Sequence, residues 1–190
     1  MFINWKMREL HVKVVYYGPP LSGKTTNLEQ VHSRVPQTQR SDLVSVKTRE
    51  DRTLFFDFME MNLGQVNGLK PKFKLYTVPG QVYYEEIRKL VLRDVDGLVF
   101  VADSSLKRLA ANRQSLTHMW QQLREIGRSV DDIPFVLQCN KQDLADAVKP
   151  ELLGRFLGVP SAVTFSAVAL NGNGTTETLK AIISQVIKKL

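Results

Sequence analysis

The chain has 190 residues, of which 43% are hydrophobic and 24% are charged, and these proportions are ordinary for a soluble globular protein. It contains no run of eighteen apolar residues, so no membrane span is predicted, and its single cysteine, Cys139, excludes a disulfide framework. We therefore expect one domain over residues 1–190, in a reducing cytoplasm.

The formal net charge is +7, but the basic residues are spread along the chain. The densest cluster consists of Lys70, Lys72, Lys74, Arg88, Lys89 and Arg93. This cluster lacks the interleaved aromatic residues on which nucleic-acid bases would stack, so we expect no nucleic-acid partner. Peripheral contact with an acidic surface, either a protein or a membrane, stays open.

The chain begins with a candidate strand, an apolar run and a glycine loop. Residues 2–6 are a candidate for a short extra strand that turns at Met7, and residues 12–17 are apolar, as in a buried strand. The loop that follows has the pattern G-x-x-x-x-G-K-[ST] and consists of Gly18, Pro19, Pro20, Leu21, Ser22, Gly23, Lys24 and Thr25. Residues 26–35 then favour a helix, and this order of strand, loop and helix is the context in which the pattern binds phosphate.

Each part of this loop has a physical role toward a nucleotide. Backbone N–H groups and the positive end of the next helix face the phosphates. Lys24 can reach the β and γ oxygens, and the hydroxyl of Thr25 can ligate Mg²⁺. The loop, with Thr26 after it, is therefore the predicted phosphate site, and Mg²⁺ is the expected cofactor.

The middle of the chain predicts a pair of strands. Residues 53–59 and 70–78 read as strands joined by a loop that contains Gly64 and Gly68. This is the pattern of a hairpin, which would place one antiparallel strand at the edge of the sheet.

Catalytic candidates flank these two strands. Thr53 is a candidate second Mg²⁺ ligand when a nucleoside triphosphate is bound, and its neighbour Arg52 could supply charge to the transition state, although a solvated loop arginine is an equal alternative. After the second strand, Gly80 can direct its N–H at the γ-phosphate and Gln81 can orient an attacking water.

The rest of the chain alternates strands and helices. Further strands are predicted at residues 97–102, 133–139 and 162–166, and amphipathic helices at residues 106–126 and 179–190. The predicted fold is α/β, a P-loop three-layer sandwich with a mostly parallel six-stranded sheet. One edge strand is antiparallel, and the N-terminal candidate would be an additional strand.

A second motif selects the base. Asn140, Lys141 and Asp143 form an N-K-x-D sequence after the strand at residues 133–139, at the sheet edge where ligands bind. A carboxylate there accepts two hydrogen bonds from guanine, and adenine offers no such pair of donors. After the next predicted strand, a backbone N–H of Ser166 or Ala167 could donate to the guanine carbonyl.

Together these motifs resemble a Ras-like small GTPase, and more closely the MglA family of bacterial polarity and motility GTPases. The sequence strings that carry the resemblance cover residues 17–28, 51–58, 75–81, 95–103 and 140–143. It implies a GDP/GTP switch with slow intrinsic hydrolysis, an arginine in cis at Arg52 and an additional strand at residues 2–6. It also implies a roadblock-domain dimer of the MglB type as the activator of hydrolysis. We expect the chain itself to be monomeric and recruited to a cell pole.

Two positions depart from the usual pattern. Most Ras-like proteins have Asp where this chain has Thr77, and the MglA family shares the threonine, which would remove one carboxylate near the Mg²⁺. Pro20 stands where that family usually has glycine. The proline ring fixes φ, removes an N–H and adds bulk beside the γ-phosphate, so catalytic positioning is in question.

Two other functions remain open from the sequence. The first is a GTP-dependent scaffold with little hydrolysis, which Pro20 favours. The second is a P-loop kinase of a small metabolite, which would leave the N-K-x-D sequence without a role.

Overall fold

The computed structural model describes residues 1–47, 53–80 and 84–189, with side chains described for all of these except 46, 47 and 53–55. The strands are β1 (Phe2–Asn4), β2 (Glu9–Tyr17), β3 (Val44–Lys47), β4 (Thr53–Asn62), β5 (Lys70–Thr77), β6 (Gly97–Asp103), β7 (Phe135–Asn140) and β8 (Val163–Ser166). The helices are α1 (Lys24–Arg34), α2 (Glu85–Leu92), α3 (Leu109–Glu125), α4 (Pro150–Leu157) and α5 (Thr175–Ile187).

The strands form one mixed sheet in the order β3-β4-β5-β2-β6-β7-β8. From β5 to β8 all neighbouring strands are parallel, whereas β4 is antiparallel to both β3 and β5. β1 pairs antiparallel with the first residues of β2, where Phe2 lies opposite His11, and the pairing of β6 with β2 begins only at Val14. β1 and β6 therefore pair with different stretches of β2.

Helices cover both faces of this sheet. On one face α1 and α5 pack over Val12, Val14 and Tyr16 of β2. On the other face α2, α3 and α4 pack over Val15 and Tyr17 of the same strand. Each side of β2 thus points into a hydrophobic core, which explains why its last four residues, Val14–Tyr17, are all apolar and buried.

The predicted fold class and the N-terminal strand are confirmed, but the strand count was too low. The sequence predicted six strands and one N-terminal candidate, whereas the described part of the chain forms eight strands. The additional strand is β3, which occupies the edge of the sheet that was predicted for β4. β3 has only four residues and pairs with β4 through an irregular register, so little in its local sequence marks it. The eight-residue helices α2 and α4 were also not predicted.

Candidate functional site

The phosphate loop joins β2 to α1 at the carboxyl edge of the parallel strands. Gly23 adopts a left-handed conformation with φ of 100°, and a Cβ on it would lie 2.2 Å from Nδ2 of Asn140. Only glycine fits this position. The same Nδ2 donates to the carbonyl of Ser22 at 2.7 Å, so the N-K-x-D sequence holds the phosphate loop directly.

Lys24 begins α1 and turns back over the loop. Its side chain is buried, and its Nζ donates to the carbonyl oxygens of Gly18 and Pro19 at 3.0 and 2.8 Å. Burial lowers the pKa of Lys24 to about 7, the charge of Asp57 opposes this shift, and the charge of Arg88 adds to it. A phosphate beside this amine would favour its charged form.

The hydroxyl of Thr25 points at a fully buried carboxylate. Thr25 Oγ1 donates to Oδ2 of Asp57 at 2.5 Å, and Thr77 Oγ1 donates to the same oxygen at 2.6 Å. Ser45 donates to the other carboxylate oxygen. Mg²⁺ prefers oxygen ligands such as hydroxyl and carboxylate groups. The side chains of Thr25 and Asp57 therefore fit the cation that the phosphate-loop motif implies.

Asp57 provides a carboxylate at the place where the sequence predicted that Thr77 removes one. β4 and β5 pair with Phe58 opposite Tyr76, which brings Asp57 beside Thr77. The backbone N–H of Asp57 also donates to Thr77 Oγ1 at 2.9 Å. The carboxylate comes from the neighbouring strand, β4. In the sequence, the sign of this buried carboxylate was one acidic residue within the apolar stretch FFDFM.

Phosphate-loop and N-K-x-D residues line one cleft of about 220 Å³. The lining consists of Leu21, Gly23, Thr26, Asn140, Lys141, Asp143, Leu144, Val168, Ala169 and Leu170. Residues more than a hundred positions apart in the chain thus meet at one cleft.

Hydrogen bonds fix the N-K-x-D sequence in this cleft. Oδ1 of Asn140 accepts the N–H of Ala169 at 2.8 Å. Lys141 has a positive φ of 66°, and its Nζ donates to Oδ2 of Asp103 at 2.7 Å. Asp143 is exposed in the cleft, which leaves its carboxylate accessible to a ligand.

Ser166 and Ala167 do not line this cleft. The N–H of Ala167 donates to the carbonyl of Cys139 at 2.9 Å, and its own carbonyl accepts the N–H of Gln142 at 3.1 Å. The expectation that this N–H faces guanine is not met here, because pairing with the end of β7 uses the donor. Ala167 instead supports the loop that carries Asp143.

A second cavity, also of about 220 Å³, lies between the phosphate loop, α2 and α3. Gly80 packs against the loop so closely that a Cβ on it would lie 2.5 Å from the backbone nitrogen of Pro20. The carbonyl of Pro20 accepts a hydrogen bond from Arg108 at 3.0 Å. Arg88 and Arg108 both line this cavity.

Arg52 and Gln81 lie outside the described residues. Thr53 is the first residue of β4, and its side chain is likewise not described. The catalytic roles of Arg52 and Gln81, and the role of Thr53 toward Mg²⁺, therefore stay predictions.

A buried polar cluster behind the phosphate loop was not predicted. Asn27 and Gln138 exchange two amide hydrogen bonds, both of 2.8 Å, and Gln138 also donates to Thr178 at 2.9 Å. These residues belong to α1, β7 and α5. The sequence signal was one amide within the apolar strand FVLQCN.

The six basic residues of the cluster noted in the sequence lie on two elements, β5 and α2 with its C-cap Arg93. Lys72 pairs with Glu9 at 3.0 Å, and Lys89 pairs with Glu125 at 2.9 Å. Arg88 is buried. Three of the six basic residues are therefore either paired with a carboxylate or buried.

A phosphate loop beside an N-K-x-D sequence, at the carboxyl edge of a largely parallel sheet, defines the class as P-loop GTPases. The family model described as "ADP-ribosylation factor family" matches residues 1–186. The chain is 46% identical over 189 residues to the "Mutual gliding-motility protein MglA" of Myxococcus xanthus, covering 100% of this chain and 97% of that protein.

A more distant relative and a solved structure are also similar to this chain. The chain is 25% identical over 157 residues to "ADP-ribosylation factor-like protein 2" of Arabidopsis thaliana, covering 82% of this chain and 74% of that protein. The Arl6 BBS3 small GTPase from Trypanosoma brucei, solved with the nucleotide analogue GppNp, has the same fold, with a TM-score of 0.71 at 20% identity. That match covers 95% of this chain and 100% of the other.

The chain belongs to the MglA family of small GTPases, within the wider ADP-ribosylation factor family. It is a small GTP-binding switch protein whose reaction is the hydrolysis of GTP, and the kinase alternative is set aside. No helix in the described ranges is both long and apolar enough to cross a membrane.

Proposed function

We propose that this chain, as one GTPase domain over residues 1–190, cycles between GDP and GTP to control cell polarity or motility through protein partners. The observation that carries the nucleotide part is the cleft that Gly23 and Thr26 share with Asn140, Lys141 and Asp143. The biological part is supported by the name of the Myxococcus relative, a gliding-motility protein.

Phosphate binding is assigned to the loop from Gly18 to Thr25. Its N–H groups and the start of α1 face the phosphates, and Lys24 would exchange its two carbonyl partners for phosphate oxygens. Thr25 and Thr53 are the proposed Mg²⁺ ligands, and Asp57 orients the hydroxyl of Thr25. When bound, Mg²⁺ neutralises charge on the β and γ phosphates.

Hydrolysis is assigned to Gln81 and Arg52, and Gly80 is assigned to binding of the γ-phosphate. In this proposal Gln81 orients the attacking water, Arg52 stabilises the charge of the transition state, and Gly80 donates its N–H to the γ-phosphate. Gly80 lies against Pro20 at the edge of the phosphate loop.

A roadblock-domain dimer of the MglB type is the proposed activator of hydrolysis, and the chain itself is proposed to be a cytoplasmic monomer recruited to a cell pole. For peripheral membrane contact the surface we propose is the β1–β2 turn. There Phe2 and Trp5 are 64% and 74% exposed, next to Lys6 and Arg8. Sedimentation with anionic vesicles, comparing the native chain with Trp5→Ser, tests this contact.

Replacement of Asp143 tests the assignment of the guanine site. The native chain should bind GDP tightly and ATP weakly. Asp143→Asn should weaken GDP binding by several kcal/mol, because an amide cannot accept both hydrogen bonds from the base. The variant should also gain affinity for xanthosine diphosphate, whose C2 oxygen requires a donor.

Titration with fluorescent nucleotides measures these affinities, and Asp146→Asn, a nearby carboxylate outside the cleft, is the matched control. Equal affinity of the native chain for ATP and GTP would end this proposal.

A scaffold with little hydrolysis is the second candidate function. The observation that favours it is the contact between Gly80 and Pro20, which leaves the backbone of Gly80 little room to move toward the loop. Single-turnover hydrolysis distinguishes the two functions.

A further inference from the structure

The loop that follows β8 forms one wall of the cleft that also holds Asp143. Val168, Ala169 and Leu170 line this cleft, and the N–H of Ala169 donates to Oδ1 of Asn140 at 2.8 Å. Between β8 and α5 the backbone forms a short 3-10 turn that begins at Ala169. A turn of three residues has few hydrogen bonds of its own, so the position of this wall depends on side chains that reach it from other elements.

Arg34, the last residue of α1, holds this loop. Its guanidinium donates to the carbonyl oxygens of Gly172 and Asn171 at 2.7 and 3.4 Å. It also donates to the hydroxyl of Thr176, in the first turn of α5, at 3.1 Å. The planar fork of five N–H donors allows one side chain to contact several oxygens at once. Arg34 therefore joins the end of α1 both to the loop and to the start of α5.

Two further residues support this contact. Gln30, one turn earlier on α1, donates to the carbonyl of Leu170 at 3.2 Å. Gly172 has a φ of 79°, and a Cβ on it would lie 1.9 Å from Nη2 of Arg34. Glycine is therefore required here both by the backbone conformation and by the space that the guanidinium occupies.

The same helix reaches the phosphate side of the site. α1 begins with Lys24 and Thr25 of the phosphate loop and ends with Arg34, and its eleven residues span about 16 Å. Asn27, in the middle of α1, is fully buried and bonded to β7. The first turn of α1 thus belongs to the phosphate side of the site, whereas its last turn holds the wall on the base side.

We propose that Arg34 is a positioning residue for guanine, because it holds the loop from Val168 to Gly172 against α1 and keeps that wall in place beside Asp143. This inference rests on the proposed nucleotide site and assigns a role to a residue outside its motifs. Arg34 is exposed and lies at the opposite end of α1 from the phosphate loop. Its effect should therefore fall on recognition of the base and spare the phosphates.

The test compares the dissociation constants of GDP and ADP, because ADP has the same phosphates but lacks guanine. Arg34→Met, which keeps an apolar stem and removes every donor, should weaken GDP binding about fivefold, at the low end of couplings between sites. ADP binding should be unchanged, so the preference for GDP falls by the same factor. Gln30→Leu should also lower this preference, since it removes the contact with Leu170. Arg155→Met, at an exposed arginine of α4, should leave both constants unchanged.

Other outcomes separate the alternatives. Equal weakening of GDP and ADP in Arg34→Met would show that the arginine acts only through the general stability of the fold, and the proposal would be wrong. Unchanged constants for both nucleotides would also overturn it. If Arg34→Met does not fold, Arg34→Gln, which is polar but too short to span the same oxygens, carries the same expectation. A native chain that binds ADP as tightly as GDP would instead overturn the proposed function.

Discussion

At the scale of single residues, Asp57 shows how a lost motif carboxylate is replaced from another strand. It is fully buried, and its two oxygens accept hydrogen bonds from three hydroxyl groups, those of Ser45, Thr25 and Thr77. A buried carboxylate with this many donors is held in one orientation. Thr25 is thereby kept in place for the cation.

We predict that Asp57→Asn lowers Mg²⁺ affinity about 10- to 100-fold, the range seen when a partner that orients a metal ligand is lost. The amide keeps the size of the side chain but removes its charge and one acceptor. The measurement is the Mg²⁺ dependence of GDP release. Asp131→Asn, at an exposed carboxylate, is the control and should behave like the native chain. An unchanged Mg²⁺ dependence in Asp57→Asn would remove this residue from the metal site.

At the scale of elements, the buried pair of Asn27 and Gln138 connects the phosphate-loop helix to the sheet. Asn27 donates to the carbonyl of Gly23 at 2.9 Å as well as to Gln138, so one amide contacts both the loop and β7. Gln138 also reaches Thr178 on α5. The three elements are therefore joined by hydrogen bonds within an otherwise apolar core.

We predict that Gln138→Leu lowers the free energy of unfolding by about 1–3 kcal/mol, because Asn27 is left with buried polar groups that water cannot reach. Denaturant unfolding without nucleotide measures this change. Gln121→Leu, the same substitution on the exposed side of α3, should change stability by less than about 0.5 kcal/mol. Equal effects of the two substitutions would show that the buried pair contributes nothing specific.

At the scale of the whole molecule, a chain of contacts joins the two sides of the nucleotide site. Arg108 donates to the carbonyl of Pro20 and lies 3.9 Å from Asp103, and Asp103 accepts a hydrogen bond from Lys141. Asp103 ends β6, the strand that lies between β2 and β7 in the sheet. The carboxylate of Asp103 therefore interacts both with Arg108, which contacts the phosphate loop, and with Lys141 of the N-K-x-D sequence.

We predict that single-turnover hydrolysis in the presence of an MglB-type partner depends on Arg52 and Gln81. Arg52→Ala should slow it by about a thousandfold, the size usual for an arginine at this transition state, and Gln81→Ala should slow it because the water loses its orientation. Pro20→Gly should raise the rate, since the ring no longer crowds the γ-phosphate. Arg155→Ala, at an exposed arginine of α4, is the control.

Three results would contradict parts of this picture. Native rates in both Arg52→Ala and Gln81→Ala would exclude hydrolysis by residues of this chain alone. An unchanged rate in Pro20→Gly would show that the proline does not limit catalysis. A native chain that does not hydrolyse GTP even with its partner would favour the scaffold.

The sequence by itself determined the features whose chemistry lies in contiguous residues. The phosphate loop and the N-K-x-D sequence each contain their own donors and acceptors, and buried parallel strands are apolar throughout, so motifs and fold class could be predicted together. Only the tertiary structure decided which distant residues meet them. Strand register brought Asp57 to Thr25, strand pairing used the N–H of Ala167, and the packing of α2 turned Arg88 toward the loop. Such contacts depend on register and packing across the sheet, which no local pattern of residues records.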